Sequence, residues 1–222
     1  MDRPKRYSLA VELTPNCNQK RGYCYNDWRD DISRATTLPA TELLALVERA
    51  VVEVELDHVT LTGGEPFAWP GVFDMLAMLE RHQLRALIIS NGGLVPDAIA
   101  ARLAPFRPLQ VQITLNGATA ELHEAHVGPR CFGPTLEGIR ALRRHGVTVA
   151  GSIVVTRKNA GEVGAILELF ASLGVSNIAL SRYSPAGYAA EQIAELLPAR
   201  RDLVAALTQA EAHAVATGAR LQ

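Results

Sequence analysis

Strand-like and helix-like patterns alternate along almost the whole chain, and this alternation constrains the fold more than any other feature. Short apolar runs of strand length occupy residues 7–13, 58–62, 86–90, 109–115, 147–156 and 176–180. Between them lie stretches with apolar residues at helical spacing. Residues 39–54 are one such stretch, with Leu43, Leu44, Val47, Ala50 and Val51 on one face, and residues 70–82 and 96–103 are two more. Residues 135–145 and 160–173 follow, closed by Gly146 and Gly174, the residue type favoured just past a helix end. Two further helical stretches, 191–197 and 201–217, complete the chain. Strict β-α alternation predicts a parallel sheet with helices packed over it. Strands that are apolar throughout are covered on both faces. An open doubly wound sheet and a barrel both satisfy the pattern. A complete eight-unit barrel takes ~250 residues, so at 222 residues a complete one is not expected. In either architecture ligands bind at the C-terminal ends of the strands. The loops after Leu13, Thr62, Ser90, Leu115, Thr156 and Leu180 should therefore share one face.

Charge and composition exclude several function classes. Lys and Arg number 22 against 23 Asp and Glu, a net charge of −1, which gives no basic excess for nucleic acid. No apolar run approaches the ~20 residues of a membrane helix. The first six residues contain no apolar signal core, so the cytoplasm is the expected compartment. Three cysteines, Cys17, Cys24 and Cys131, do not make a disulfide framework. They are metal ligands or free thiols.

The chemistry-bearing residues cluster in the expected loops. The first loop runs Thr14-Pro15-Asn16-Cys17-Asn18-Gln19-Lys20-Arg21-Gly22-Tyr23-Cys24-Tyr25-Asn26. Two cysteines seven apart read, by themselves, rather as a buried thiol and a chance neighbour. The second loop holds Gly63-Gly64-Glu65-Pro66, where paired glycines let a backbone or ligand come close. Ser90-Asn91-Gly92 follows the third strand, and Gln112-Ile113-Thr114-Leu115-Asn116-Gly117 ends the fourth.

Taken together these stretches resemble the radical S-adenosylmethionine (radical SAM) superfamily. Cys17-Asn18 and Tyr23-Cys24-Tyr25-Asn26 are similar to its Cys-x-x-x-Cys-x-aromatic-Cys loop, and the next three stretches resemble its Gly-Gly-Glu-Pro, Thr-Asn-Gly and Ser-Leu-Asp-Gly motifs. Arg182 to Gly187 resembles its Pro-x-Gly turn after the sixth strand. The resemblance covers about residues 7–190 and implies an α/β fold, a partial (β/α)₆ barrel with C-terminal helices. It implies a core over residues 1–188 and a helical segment over 189–222 that begins a missing extension. Its implied activity is reductive cleavage of S-adenosylmethionine at a 4Fe–4S cluster, giving a 5′-deoxyadenosyl radical that acts on a peptide or small cofactor precursor. The implied ligands are Cys17 and Cys24 to the metal, and Gly63, Gly64, Glu65, Tyr23, Thr114 and Ser152 to S-adenosylmethionine. In that family Gly63, Gly64 and Glu65 present backbone groups to the methionine ammonium, Tyr23 sits beside the adenine, Thr114 reaches the ribose, and Ser152 faces the carboxylate. The fourth-strand stretch is most similar to the peptide- and cofactor-maturing branch called SPASM.

The chain departs from that pattern at one position. Where the family has its middle cluster cysteine this sequence has Arg21, a cation with no lone pair to give to iron. Asn116 also stands where an Asp is usual. Cys131 is the only other thiol, and no cysteine follows it to hold auxiliary clusters. His123 and His126 are three apart on a helical stretch without a third metal ligand nearby. Two readings follow: a radical SAM enzyme, or a non-catalytic barrel that keeps the pocket as a binding partner of a peptide maturase. A Rossmann methyltransferase is disfavoured, because a cysteine loop and not a glycine-rich loop follows the first strand. Apolar residues Leu196, Leu197, Leu203, Val204, Leu207 and Val215 predict a helical face left partly uncovered, for a homodimer or a partner protein.

Overall fold

Every strand of the sheet pairs in parallel with its neighbours in sequence, in the order β1 to β7. A computed structural model of the chain describes residues 7–26, 28 and 31–222, without the side chain of Arg34. The first six residues, including the absence of a signal core there, lie outside the described residues. The strands are β1 (Tyr7–Glu12), β2 (Leu56–Thr62), β3 (Ala86–Ser90), β4 (Gln110–Thr114), β5 (Val149–Val155), β6 (Asn177–Arg182) and β7 (Arg220–Leu221). The helices between them are α1 (Ala40–Glu53), α2 (Val72–Arg81), α3 (Asp97–Leu103), α4 (Ala120–Val127), α5 (Phe132–Arg144), α6 (Val163–Ser172), α7 (Ile193–Leu196) and α8 (Arg200–Thr217).

This order decides between the two architectures left open above. A doubly wound sheet reverses its direction of growth at a switch point. Here each strand is added on the same side of the last. Because crossovers of this kind are right-handed, all the helices fall on one face of the sheet. The other face is left to line an interior, as in a partial barrel. β1 and β7 are the two edges, and no pairing joins them among the described residues.

The two faces are read directly from the period of two along each strand. Ile88 of β3, Val111 and Ile113 of β4 and Ile153 of β5 are fully buried in the hydrophobic core. That core takes Met75, Leu76 and Leu79 of α2, Ile139 and Leu142 of α5, and Ile166 and Phe170 of α6. The spacing of these helix residues is the 3-and-4 repeat of an amphipathic helix. The alternate strand residues Ile89, Gln112, Thr114, Ser152 and Val154 line an open cavity on the other side.

Helix boundaries follow local chemistry. Thr119 caps α4 by accepting a hydrogen bond from the Leu122 N–H (3.3 Å). α5 starts at Phe132, one turn earlier than residue 135, because Pro134 is tolerated within a first helical turn. The seventh strand was not expected. Ala219 to Gln222 are too few and too polar to announce a strand, yet the Arg220 N–H donates to Ser176 O (2.7 Å) and the Gln222 N–H to Ile178 O (2.9 Å). Helix α8 packs against α6 on the way back to the sheet. Of the C-terminal apolar residues, Leu196 is buried and Leu203 packs on the core, whereas Leu197, Val204, Leu207 and Val215 are exposed.

Candidate functional site

The loop between β1 and α1 is stitched to the strand ends by main-chain hydrogen bonds. The Leu13 N–H donates to Thr62 O (3.0 Å), the Gly64 N–H to Thr14 O (2.7 Å) and the Glu65 N–H to Asn16 O (2.8 Å). Only glycine fits at position 64, because a Cβ there would collide with the carbonyls of Asn16 and Pro15. On its other side the loop hangs on the end of α4, with Lys20 N–H on Val127 O (3.1 Å) and Gly22 N–H on His126 O (2.9 Å). The Ala189 N–H reaches Cys24 O (2.9 Å) and ties the loop to the segment after β6.

The loop, together with the strand ends, encloses a cavity of about 420 Å³. Seven of the eight residues expected at the site line it: Cys17, Tyr23, Cys24, Gly63, Gly64, Thr114 and Ser152. Thr114 and Ser152 are side by side, paired across β4 and β5. Glu65 is the exception. It is fully buried behind the wall and is not among the lining residues. Its carboxyl accepts hydrogen bonds from Ser90 Oγ (2.7 Å), Asn91 N (2.8 Å) and Phe67 N (3.4 Å), so its side chain locks β2 to β3. Burial pushes its pKa up against those bonds.

Arg21 occupies the centre of the loop. Its Nη2 donates to Gly64 O (3.3 Å) and lies 4.0 Å from Cys17 Sγ. Burial works to lower its pKa, but Tyr23, Cys17, Cys24 and Glu65 around it more than offset this and hold it above its ordinary value. The guanidinium is therefore a permanent positive charge on the cavity wall. Gly64 carries its own main-chain bonds on both sides, its N–H to Thr14 and its carbonyl to Arg21. Burial also pushes the Tyr23 phenol up to about 12, against the pull of Arg21.

Several polar atoms here have no hydrogen-bond partner among the described residues. Gln19 Nε2, Tyr23 Oη, Asn26 Oδ1 and Trp28 Nε1 are buried, unpaired and belong to cavity-lining residues. An unpaired buried polar atom costs about 1–3 kcal/mol, so a set of them around one cavity marks a polar ligand. Asn116 is also buried. Its Oδ1 accepts from Val154 N (2.9 Å) and its N–H donates to His123 Nδ1 (3.2 Å). The amide oxygen does the acceptor work an Asp would do, while Asn116 Nδ2 is buried without a hydrogen-bond partner among the described residues.

The donor set does not fit a 4Fe–4S cluster. Cys17 is exposed, Cys24 half-buried and Arg21 sits between them in the loop. Among the described residues no group of three His, Cys, Asp or Glu side chains comes together to hold a metal. Iron–sulfur clusters are held by thiolates, and the third is missing. Cys131 does not replace it. It stands at the start of α5 with Sγ 3.5 Å from Pro129 O, and burial, then Glu124 and Cys17, push its thiol pKa up. His123 and His126 are joined by no third metal-ligating side chain among the described residues. His126 bonds Leu122 O and Thr156 Oγ1, both at 2.8 Å, while His123 accepts from Asn116 N–H at Nδ1 and its Nε2 is buried without a hydrogen-bond partner among the described residues.

Sequence reasoning missed part of the lining. Gln112 and Val154 were legible as the residues two before Thr114 and two after Ser152 on the same strand faces. Trp28 also lines the cavity with no signal in the sequence, as do Lys20 and Arg182, which lie in the cysteine loop and in the turn after the sixth strand but were not picked out as site residues.

The family model described as the radical SAM superfamily matches residues 11–170. The chain belongs to the radical SAM superfamily. Among curated relatives, mycofactocin maturase MftC of Mycobacterium ulcerans is 29% identical over 199 residues, covering 89% of this chain and 53% of that protein. The AdoMet-dependent heme synthase of Methanosarcina barkeri is 28% identical, covering 75% of this chain and 47% of that one. Among solved structures, Streptococcus suis SuiB bound to S-adenosylmethionine superposes with a TM-score of 0.80 at 16% identity, over 98% of this chain and 49% of that one. The chain thus spans about half the length of the curated relatives it matches. The expected α/β partial barrel and the likeness to the peptide- and cofactor-maturing branch are borne out. As a radical SAM protein the chain belongs to a family that uses S-adenosylmethionine and a 4Fe–4S cluster, and its own loop carries two cysteines, Cys17 and Cys24. No helix is long and apolar enough to cross a membrane among the described residues.

Proposed function

We propose that this radical SAM barrel serves the maturation of a peptide or a small cofactor precursor, as a ligand-binding barrel that builds no 4Fe–4S cluster in its own loop. The observation that carries the reading is Arg21, fixed on Gly64 O and beside Cys17 at the place of a cluster ligand. The cavity itself is intact. It offers hydroxyls from Thr114 and Ser152, aromatic surface from Tyr23, Tyr25 and Trp28, and unpaired polar atoms to a nucleoside-sized ligand. Support for an adenosyl ligand comes from SuiB, solved with S-adenosylmethionine, and support for a peptide from SuiB solved with its precursor peptide SuiA. In this reading Tyr23 flanks the adenine, Thr114 and Ser152 bond the ribose and carboxylate, and Cys17 and Cys24 stay free thiols in the cytoplasm.

The second reading is the catalytic one, favoured by the retention of Cys17, Cys24 and Gly63–Glu65 in one place. It requires a third thiolate that the loop does not supply. The shared part of both readings is the nucleoside pocket. Saturation-transfer NMR with adenosine tests it: binding is expected to the unaltered protein and to be lost or weakened at least about fivefold in Thr114→Val with Ser152→Ala. No adenosine signal on the unaltered protein would contradict both.

A further inference from the structure

A second cavity, of about 190 Å³, adjoins the first. Pro15 and Trp28 line both and so form the wall between them. The side cavity is smaller than the ~300 Å³ of a whole small-molecule site. It suits one arm of a ligand whose body lies in the main cavity. Leu13, Leu38 and Leu43 give it apolar sides, and Trp28 adds an indole. Glu12 is the only charged residue lining it among the described residues. Glu12 ends β1, an edge strand of the sheet. Its Oε1 accepts a hydrogen bond from Tyr25 Oη (2.7 Å), and it has no basic partner among the described residues. Burial, then Glu12 itself, push the Tyr25 phenol pKa well above its ordinary value. Tyr25 is therefore a neutral donor that orients the carboxylate and cancels none of its charge. A carboxylate has about four acceptor sites, so Glu12 keeps room for a ligand donor.

These features select one chemistry. An alkyl stem packs among the leucines, and a cation at its end is attracted both by a carboxylate and by the face of an indole. An anion is repelled by Glu12, and an uncharged alkyl group gains only the apolar sides. We propose that the side cavity is a subsite for an aliphatic cation, a primary amine or guanidinium on a short alkyl stem. The cation belongs to a basic side chain of the precursor, and in this one respect the proposal rests on the maturation reading above. Because Glu12 is exposed, the charge should contribute a few-fold in affinity rather than orders of magnitude.

The test follows the indole N–H resonances of ¹⁵N-labelled protein during titration with n-hexylamine, 1-hexanol and hexanoate at pH 7. The chain has two indoles, Trp28 and Trp69, and the variant Trp28→Phe assigns them. Hexylamine, protonated at this pH, should shift the Trp28 resonance and bind at least about threefold tighter than hexanol, with hexanoate weakest. Raising NaCl from about 0.05 M to about 1 M should remove most of that preference. Glu12→Gln should bring hexylamine to within about 1.5-fold of hexanol. Hexylamine should bind Thr114→Val with Ser152→Ala as it binds the unaltered protein, because those hydroxyls line only the main cavity. Equal binding of hexylamine and hexanoate, or a Trp28 resonance that hexylamine leaves in place, overturns the proposal. So does a preference that survives in Glu12→Gln, or loss of hexylamine binding in the double variant. Should Glu12→Gln not fold, the salt dependence on the unaltered protein still decides. Adenosine, read by saturation transfer in the same samples, reports on the main cavity separately, so failure of the nucleoside reading is told apart from failure of the amine subsite.

Discussion

Half-buried Arg21 and fully buried His123 show how one side chain sets behaviour far beyond itself. His123 is fully buried, and burial, then the neighbouring His126, lower its pKa to about 4. In the unfolded chain the same ring ionises near 6.5. Between these values the unfolded state takes up a proton that the folded state refuses, so stability falls as pH drops from about 6.5 to about 4 and then levels off. The gap corresponds to about 3 kcal/mol. Urea denaturation at pH 7 and pH 4.5 should therefore show a smaller loss for His123→Asn, which keeps an acceptor for Asn116 N–H without the titration. His126, also lowered by burial, accounts for a remaining slope. An identical pH dependence in both proteins would remove His123 from this role.

The elements meet at glycine junctions, and that is where the sequence was most and least informative. The strand ends, the order of loops and the Gly63-Gly64-Glu65-Pro66 corner were legible, because period-two strands and paired glycines are local signals. The direction of the Glu65 side chain was not, because its partners Ser90 and Asn91 come from another strand. The burial of His123 and His126 was hidden for the same reason, since His126 meets Thr156 and His123 meets Asn116 only in the folded chain. Gly64→Ala tests the junction. The new methyl group meets the Asn16 and Pro15 carbonyls, which belong to a bonded loop and cannot yield. It should cost about 1–3 kcal/mol, lowering Tm by roughly 2–10 °C. In Gly133→Ala a Cβ meets nothing within 4 Å, and Tm should hold or rise slightly. Equal melting of the two variants would show that the loop is not fixed on β2 as described.

At the scale of the molecule, sequential parallel strands place every helix on one face and free the other for a cavity. The half-barrel supports that cavity whether or not iron is present, because its wall is held by main-chain bonds such as Gly64 N–H to Thr14 O and Ala189 N–H to Cys24 O. Alternation in the sequence was enough to foresee six strands. It could not foresee β7, which exists only because α8 packs on α6 and returns the chain end to β6. The central claim is that this partial barrel builds no cluster in its own loop because of one guanidinium. Iron content and the visible spectrum after anaerobic reconstitution test it most directly, on the unaltered protein and on Arg21→Cys side by side. The unaltered protein should stay nearly colourless with well under four irons per chain. Arg21→Cys should turn brown and hold close to four. A brown unaltered protein holding four irons, or an Arg21→Cys variant that stays colourless, would contradict the account.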